Sequence, residues 1–395
     1  MERAGEQSPR RRLPTGRAEL LRRPRERVMT VRIATFNTEN LFRRPKVFRL
    51  PSDKQRREIL NDYTKLVSLL EKKTYDDKTK ERIAELLKKH RAHDSRKDRP
   101  LFVNETRGQG TLFKTRGSGE HVTFEIVATG RSGWTGWVEL VRDDLDWEAV
   151  HNTGRVIAEV DADILLTVEV EDRTTLRRFN EQVLGGDLKK TPYPYDMVID
   201  GNDPRGIDVG VLSRHPITSM RSHVFDPDPD RPGEYLFSRD CPEYEIQIGG
   251  TPLWLLGNHL KSQSGDDPEL RIAQARRVAS IYQTALERSP YVVVAGDLND
   301  EPSSEAIRAL LGTGLRDVMS HPGYRGTPGT HGAGTSERQK LDYLMLPPPL
   351  WEQVQHVEVE RRGIWAPSTI KSFDTVTSKW NRASDHAAVY ADLDL

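Results

Sequence analysis

Six short polar segments each follow an apolar run, and together they carry oxygen and imidazole side chains. Any one of them has an ordinary structural explanation, because Asn and Asp favour the turns at strand ends. Six in one chain predict a common site at one edge of a sheet. The segments are FNTEN at 36–40, VEVE at 168–171, GNHLKS at 257–262, GDLND at 296–300, LDY at 341–343 and SDH at 384–386.

The side chains in these segments suit a hard divalent cation with acid–base groups beside it. Carboxylate and amide oxygens are the ligands that Mg²⁺ or Mn²⁺ prefers, whereas a structural zinc site would need more than the single Cys241. Histidines beside carboxylates transfer protons near neutral pH. Phosphoryl transfer needs this combination of cation, base and fixed donors. The oxygen-bearing residues are Asn37, Glu169, Asp297, Asn299 and Asp385, and the histidines are His259 and His386.

The composition is that of a soluble globular protein, with 35% hydrophobic and 30% charged residues in 395. The sequence has no uninterrupted apolar run long enough to span a membrane. One cysteine excludes an intramolecular disulfide framework, and no apolar segment follows the basic N-terminus as a secretory signal would require. These features predict a cytoplasmic protein, and nothing in the sequence indicates an obligate protein partner.

A formal net charge of zero hides a strong asymmetry along the chain. Residues 1–28 carry nine Arg against four Glu, and residues 43–100 carry 19 Lys and Arg against ten Asp and Glu. The stretch 101–395 is therefore acidic, at about −14. We expect the Arg- and Pro-rich leader 1–28 to be disordered. Two explanations of it stay open: translation can start at Met29, or the leader is a basic tail that contacts nucleic acid.

Residues 29–395 are predicted to form one catalytic domain with an insert at 43–143. Two amphipathic helices are expected within 56–92, followed by β-type composition over 101–141. Several neighbouring strands lack an intervening helix, which argues against a purely parallel sheet. The other predicted strands are 31–36, 164–168, 208–212, 244–248, 253–256, 291–295, 343–346 and 388–391, and the helices are 145–159, 173–183, 268–287 and 303–311.

The polar segments and their flanks, in this order, resemble the endonuclease/exonuclease/phosphatase (deoxyribonuclease-I-like) superfamily over residues 31–42 and 145–395. The resemblance implies an α/β (α+β) fold, a four-layer sandwich of two packed mixed β-sheets flanked by helices, with the helical-hairpin plus β insert after the first strand. It also implies a Mg²⁺- or Mn²⁺-dependent phosphoester hydrolase. The motifs are FNTENLF, LLTVEVEDR, RGIDVGVLSR, NHLKS, GDLNDEP, KLDYLML and RASDHAAV.

The same resemblance implies a role for each site residue. Val168 departs from the family, which usually has Gln before its metal-binding Glu. The implied metal ligands are Glu169, Asn37, Glu39 and Asp385. The implied catalytic residues are Asp297 and Asn299, which align water or phosphate, Asp342, which orients the general base His386, and His259 at the phosphate or leaving group. The implied substrate contacts are Asn37, Arg239, Asn258 and Lys261.

Substrate choice stays open among several phosphoesters. The fragments EVEDR and NHLKS are most like those of bacterial nuclease-type members, which favours cleavage of phosphodiester bonds in nucleic acid. The alternatives are a phosphatase or phosphodiesterase acting on inositol phosphates or another small or lipid phosphoester, and an inactive module that binds anions. Calcineurin-like metallophosphoesterases share GNH and GD motifs, but in the opposite order.

The insert also has two explanations. Its charge of about +9 over 43–100 would draw a polyanionic substrate to an otherwise acidic protein if it lies over the active site. Alternatively, the hairpin merely packs against the body and its charges form a solvated face. In that case its buried residues would be Ile59, Leu66, Leu70, Ile83 and Leu87.

Overall fold

The computed structural model describes residues 29–41, 46–50, 52–92, 99–116, 123–141, 147–203, 205–263 and 267–395, and the predicted leader 1–28 lies outside these ranges. The α-helices are α1 (Asp53–Leu70), α2 (Asp77–Lys89), α3 (Trp147–Val160), α4 (Arg173–Arg178), α5 (Pro268–Leu286), α6 (Glu305–Leu311) and α7 (Pro348–Trp351). The strands are β1 (Thr30–Leu41), β2 (Leu101–Gly110), β3 (Phe113–Arg116), β4 (Thr123–Ile126), β5 (Trp134–Leu140), β6 (Ile164–Val170), β7 (Tyr195–Ile199), β8 (Asp208–Ser213), β9 (Ile217–Arg221), β10 (Glu243–Ile248), β11 (Thr251–His259), β12 (Val292–Asp297), β13 (Arg316–Asp317), β14 (Asp342–Leu346), β15 (Val354–Glu360) and β16 (Ala388–Asp394).

Two six-stranded mixed sheets form the body. Their strand orders are β15-β16-β1-β6-β8-β7 and β13-β14-β12-β11-β10-β9. Each sheet has one parallel pair at its centre, β1 with β6 and β11 with β12, and its other neighbours are antiparallel. The two strands of a parallel pair end at the same edge, so each sheet delivers two strand ends to one place.

The sheets pack face to face, and helices cover their outer faces. Along β1, Ile33 belongs to the core between the sheets and its neighbour Ala34 to the core under the helices, as the two-residue period of a strand requires. Helices α3 and α4 cover the first sheet, and α5 and α6 cover the second. The predicted four-layer α/β sandwich is confirmed. No helix in the described ranges is both long and apolar enough to cross a membrane.

The insert has a hydrophobic core of its own, formed by residues between 47 and 140. Helices α1 and α2 begin at side-chain caps, Ser52 and Asp76, and pack on the strand pairs β2–β5 and β3–β4. The apolar residues of the hairpin pack against the insert's own strands in a cluster separate from the cores of the two large sheets. The five residues predicted to be buried are buried in this core, and they are Ile59, Leu66, Leu70, Ile83 and Leu87.

The two ends of the insert lie side by side. The backbone N–H of Lys46 donates to the carbonyl of Val141 across 2.8 Å. The insert therefore leaves the body after β1 and returns to it just before α3, with its own core closed between these two points.

Candidate active site

The parallel pairs bring the predicted site residues to one edge of each sheet. His259 and Asp297 are direct partners in the register of β11 with β12. On the first sheet, Asn37 is the partner of Val168, the residue before Glu169. Val168 itself is fully buried in the core between the sheets. Asn37 on the first sheet donates to Asp297 on the second, so residues near the ends of four strands from two sheets meet.

A glycine sets how closely β11 and β12 approach there. A Cβ atom on Gly296 would lie 1.9 Å from the carbonyl oxygen of Asn258, and Gly296 has a φ of +131° that favours glycine. The side chain of Asn258 strengthens the same junction, since its Nδ2 donates to the carbonyls of Leu256 and Ala295 at 3.0 and 3.3 Å. The amide nitrogen of Asn258, a residue predicted to bind substrate, therefore stabilises the junction between β11 and β12.

Three site residues other than glycine have left-handed backbone conformations. The φ angles are +49° at Glu39, +65° at Glu169 and +53° at Asn299. Glu39 and Glu169 also lie where the register between neighbouring strands shifts. Bulges of this kind redirect side chains at strand ends, and left-handed residues with a Cβ carry local strain. The site is therefore built on backbone that departs from regular strand geometry.

Asp297 lies at the centre of the cluster. Its Oδ2 accepts a hydrogen bond from Asn37 Nδ2 at 3.0 Å, and it lies 3.8 Å from His259 Nε2 and 3.9 Å from His386 Nε2. Its Oδ1 accepts from the backbone N–H of Asn299 at 2.9 Å. Burial is the main reason that the pKa of Asp297 rises to about 7. Two imidazoles consequently approach one carboxylate.

His386 is held by a carboxylate on the side away from Asp297. Its Nδ1 lies 2.8 Å from Asp342 Oδ2, and the hydroxyl of Thr330 donates to the same oxygen at 2.6 Å. Although burial disfavours the imidazolium, the Asp342 and Asp297 carboxylates raise the pKa of His386 well above its usual value. This arrangement fixes the ring and leaves Nε2 facing the cluster.

His259 has the opposite electrostatic environment. Burial, and after it the nearby Arg239, Arg205 and His386, hold its pKa well below the usual value for histidine. The surroundings therefore favour the neutral ring for His259 and the imidazolium for His386. Pairs of titratable groups whose pKa values are shifted in opposite directions by their surroundings are typical of acid–base sites.

Glu169 and Asp385 are the two carboxylates best suited to a divalent cation. Burial and then the charge of Asp385 raise the pKa of Glu169, so the two groups repel each other. Burial also opposes the charge of Asp385, but His331 and Arg382 outweigh it and lower its pKa. An ion with oxygen ligands would relieve this repulsion, so the residues fit such an ion. Two groups have ligand atoms within 4.8 Å of one another, His331 with Asp385 and His386, and Asp297 with Asp342 and His386.

The carboxylate of Glu39, a predicted metal ligand, is bonded to an arginine. Arg382 donates to both of its oxygens, from Nε at 2.9 Å and from Nη2 at 2.7 Å. The same Nη2 donates to Asp385 Oδ2 at 2.9 Å. Glu39 therefore contacts the site through Arg382, which links it to Asp385.

Positive side chains also lie near Glu169. Arg239 is only 3% exposed, and its Nε lies 3.2 Å from Asp203 Oδ2. Arg205 donates twice to the same carboxylate, at 2.9 and 2.6 Å. Although burial opposes its charge, these arginines lower the pKa of Asp203 to about 2. Burial, followed by Arg239 and Arg205, lowers the pKa of Lys261, which places its ammonium near both arginines.

Several residues in the cluster were not predicted from the sequence. The ring of His331 lies 4.8 Å from that of His386. Arg205 and Arg382 open the motifs RGIDVGVLSR and RASDHAAV, which could have singled them out. The other three lie in loops with no such motif. The residues not predicted are Asp203, Arg205, Thr330, His331 and Arg382.

Residues 143–386 match the sequence profile of the Endonuclease/Exonuclease/phosphatase family. The chain belongs to this family. It is accordingly a phosphoester hydrolase by family, and the family generally uses divalent metals. No protein of curated function matches the sequence significantly.

Solved structures similar to this chain share little sequence with it. An endonuclease/exonuclease/phosphatase family protein from Bacteroides thetaiotaomicron is 12% identical, with 93% of this chain and 99% of that one covered and a TM-score of 0.49. Truncated TDP2 from Caenorhabditis elegans is 19% identical, with 62% and 90% covered and a TM-score of 0.44. A mannosyl-6-phosphatase from Bacteroides thetaiotaomicron is 14% identical, with 62% and 91% covered and a TM-score of 0.46. The family assignment rests on the sequence match.

Proposed function

We propose that the chain is a divalent-cation-dependent nuclease that hydrolyses phosphodiester bonds by in-line attack of water. The observation that carries the proposal is the arrangement of His259 and His386, which approach Asp297 Oδ2 to 3.8 and 3.9 Å. In-line displacement needs a proton acceptor for water on one side of the phosphate and a donor near the leaving oxygen on the other. Two imidazoles that converge on one carboxylate can serve both positions.

Glu169 and Asp385 would hold Mg²⁺ or Mn²⁺, with Asn37 next to them. Both carboxylates are partly buried, with side chains 18% and 30% exposed, and their repulsion is the feature that a divalent ion offsets. When bound, the ion supplies charge neutralisation at the phosphate oxygens. Asn37 donates to Asp297 and so fixes the orientation of that carboxylate relative to the pair. Glu39 contributes by holding Arg382 against Asp385.

The acid–base steps fall to the two histidines. In its neutral form His386, which Asp342 orients through Nδ1, accepts a proton from the attacking water at Nε2. Asp297 and Asn299 align the water and the phosphate. His259 is neutral and still carries one ring N–H, with which it donates to a phosphate oxygen or to the leaving group.

A nucleic acid strand is the substrate that the charge distribution favours. Arg239 and Lys261 add positive charge at the reaction centre, and the sequence 43–100 adds about +9 next to an acidic body. Positive charge of this kind attracts a phosphate backbone without reading its bases. The proposal therefore specifies phosphodiester chemistry without sequence specificity.

A substrate panel tests the proposal. Single-stranded DNA, duplex DNA, RNA, inositol phosphates and bis-p-nitrophenyl phosphate are each incubated with the full chain and Mg²⁺ or Mn²⁺, with Glu169→Gln as the inactive control. We expect wild-type protein to cleave nucleic acid and bis-p-nitrophenyl phosphate. Turnover confined to inositol phosphates would favour the phosphatase alternative, and no turnover by a folded protein would favour an anion-binding module.

A further inference from the structure

Two arginines beside Glu169 contact the same carboxylate. Arg205 and Arg239 share the single carboxylate of Asp203, and Lys261 lies near both arginines. The carboxylate of Asp267, which also acts on Lys261, accepts from Arg231 Nη2 at both of its oxygens. A guanidinium withdrawn from water is stable only where acceptors or anions meet its N–H groups.

Three buried polar atoms without hydrogen bonds belong to Arg239 and to two residues at the end of β11. Within the described residues, Arg239 Nε, His259 Nδ1 and Asn258 Oδ1 are buried and have no hydrogen-bond partner. Arg239 Nε is close to Asp203 but is not aligned for a bond. More than nine buried polar groups in ten are satisfied in proteins, so such atoms indicate a position that a ligand or water fills.

The backbone holds this cluster rigidly. A Cβ on Gly201 would lie 2.9 Å from the Cα of Arg239 and 2.8 Å from Asp208 Oδ1, so the segment before Asp203 packs tightly on the arginine. The N–H of Gly201 donates to Asp208 Oδ1 at 2.8 Å. Arg205 donates to Asp203 from Nε and Nη2. Because a guanidinium has five N–H groups, the opposite edge of Arg205 is able to bind a second anion.

Arg205 also lies close enough to the insert for the two to interact. Burial opposes its charge, whereas Asp203, Glu169 and Tyr63 of α1 raise its pKa. Tyr63 belongs to the core of the insert. The cluster thus extends from the proposed cleavage position towards the most basic part of the chain, which is the path that a longer polyanion would take.

We propose that Arg205 and Arg239, positioned by Asp203, bind a second phosphate group of the substrate, adjacent to the phosphate that is cleaved. The inference rests on the proposed nuclease function and makes it more specific, because it predicts a preference for substrates with two neighbouring phosphates. A planar, forked guanidinium contact to phosphate oxygens gives such a preference its geometry.

The test compares thymidine dinucleotides that differ only in a terminal phosphate. Hydrolysis of the internal diester is measured for the dinucleotide with a 5′-phosphate, with a 3′-phosphate and with neither, and for bis-p-nitrophenyl phosphate. We expect wild-type protein to hydrolyse one of the two phosphorylated forms with a kcat/KM about 10- to 100-fold above that of the unphosphorylated form, the range for a hydrogen bond between charged groups.

Arg205→Gln should reduce that ratio of kcat/KM values to about 1, because amide donors carry no charge. The ratio does not depend on the fraction of active protein, so partial misfolding of the variant does not affect it. Arg205→Lys should reduce it partially, since one ammonium cannot make the forked contact. Arg276→Gln, which removes an exposed guanidinium paired with Glu305, is the matched control and should leave the ratio unchanged.

Each other outcome overturns the inference. A wild-type ratio near 1 means that no second phosphate is bound, although the nuclease proposal stands. A ratio that survives Arg205→Gln, whether or not overall activity falls, means that the arginine acts on the cleaved phosphate or only on the fold. Hydrolysis of none of the four substrates would remove the nuclease proposal and the inference with it.

Discussion

The hydroxyl of Thr330 donates to the carboxylate of Asp342 across 2.6 Å, and the backbone N–H of Asp342 donates back to the same hydroxyl at 3.0 Å. This reciprocal pair holds the oxygen that faces His386 Nδ1. A loop residue thereby fixes a strand residue that orients the proposed general base.

Removing this hydroxyl should weaken catalysis without unfolding the protein. Thr330→Val keeps the shape of the side chain, and we expect kcat to fall by about 10- to 100-fold, the usual effect of losing a partner that orients a catalytic group. Thr330→Ser keeps the hydroxyl and should stay within about threefold of wild type in the same comparison. The measurement is steady-state hydrolysis of bis-p-nitrophenyl phosphate. Equal rates for the Val and Ser variants would show that the pair is structural only.

Metal removal should abolish turnover. Glu169 and Asp385 repel each other when no cation is present, so we expect activity to vanish in EDTA and to return with Mg²⁺ or Mn²⁺. Binding should also raise the melting temperature, because a ligand that binds only the folded state stabilises it. Glu169→Gln should lose that thermal shift. Unchanged turnover after dialysis against EDTA would contradict the prediction.

Each histidine should be needed for turnover. His386→Ala and His259→Ala should each lower kcat by ~10²- to 10⁴-fold, the range for general acid–base groups. The matched control is His356→Ala, since His356 is exposed on edge strand β15. Circular dichroism checks that the fold is retained. A variant at His386 or His259 with nearly wild-type kcat would remove that residue from the mechanism.

Asp208 should make the fold less stable as pH rises. Burial raises its pKa to about 7, whereas in the unfolded chain it titrates near ~3.9. Between these values the folded protein binds the extra proton, so the free energy of unfolding falls as pH increases through this window. Asp208→Asn retains an oxygen that accepts from Gly201 N–H. Its melting temperature should exceed that of wild type by about 2 °C or more at pH 8, the effect of ~1 kcal/mol in a large domain, and by less at pH 5, where only the lower part of the window has been crossed. Equal effects at both pH values would refute this assignment.

The exposed lysines of the insert should attract long substrates. Lys72, Lys73 and Lys88 are exposed, and changing all three to Gln should raise KM for a long oligonucleotide and flatten its salt dependence. Lys89 is left unchanged because it is paired with Glu58 and Asp62.

Two comparisons separate attraction from a structural role. Hydrolysis of bis-p-nitrophenyl phosphate should not change, because this molecule carries a single phosphate and has no strand that could extend to these lysines. A triple variant on the body, with Gln at exposed positions Lys189, Lys190 and Lys371, should leave KM for the oligonucleotide unchanged. If the two triple variants behave alike, the charge of the insert has no special role.

The sequence predicted the interior of both sheets but not their edges. The strands that were missed, β7, β9, β13 and β15, are the outermost strands of the two sheets. An edge strand pairs on one side only and exposes more of its length, so it lacks a continuous apolar run. Four of the five residues of β9, Ile217–Arg221, are exposed. Whether such a segment forms an edge strand depends on the strand beside it, and that strand is not part of the local sequence.

The site, too, contains residues that the sequence predicted and residues that it did not. His259, Asp297 and Glu169 lie at the ends of buried strands, where a polar side chain after an apolar run is unexpected. Arg382 reaches Glu39 from 343 positions along the chain, and Thr330 lies in a loop between elements. Arg382 opens the motif RASDHAAV, but its contact with Glu39, like that of Thr330 with Asp342, is visible only in the folded chain.

The hydrogen bond between Lys46 and Val141 closes the insert where it meets the body. A segment whose ends are already adjacent costs its host little chain entropy, and a separate core lets it open without opening the body. Hydrogen exchange in α1 and α2 should then follow a lower free energy than in β1 and β12. On heating, the protein should lose its affinity for long nucleic acid substrates before it loses the ability to hydrolyse a small diester.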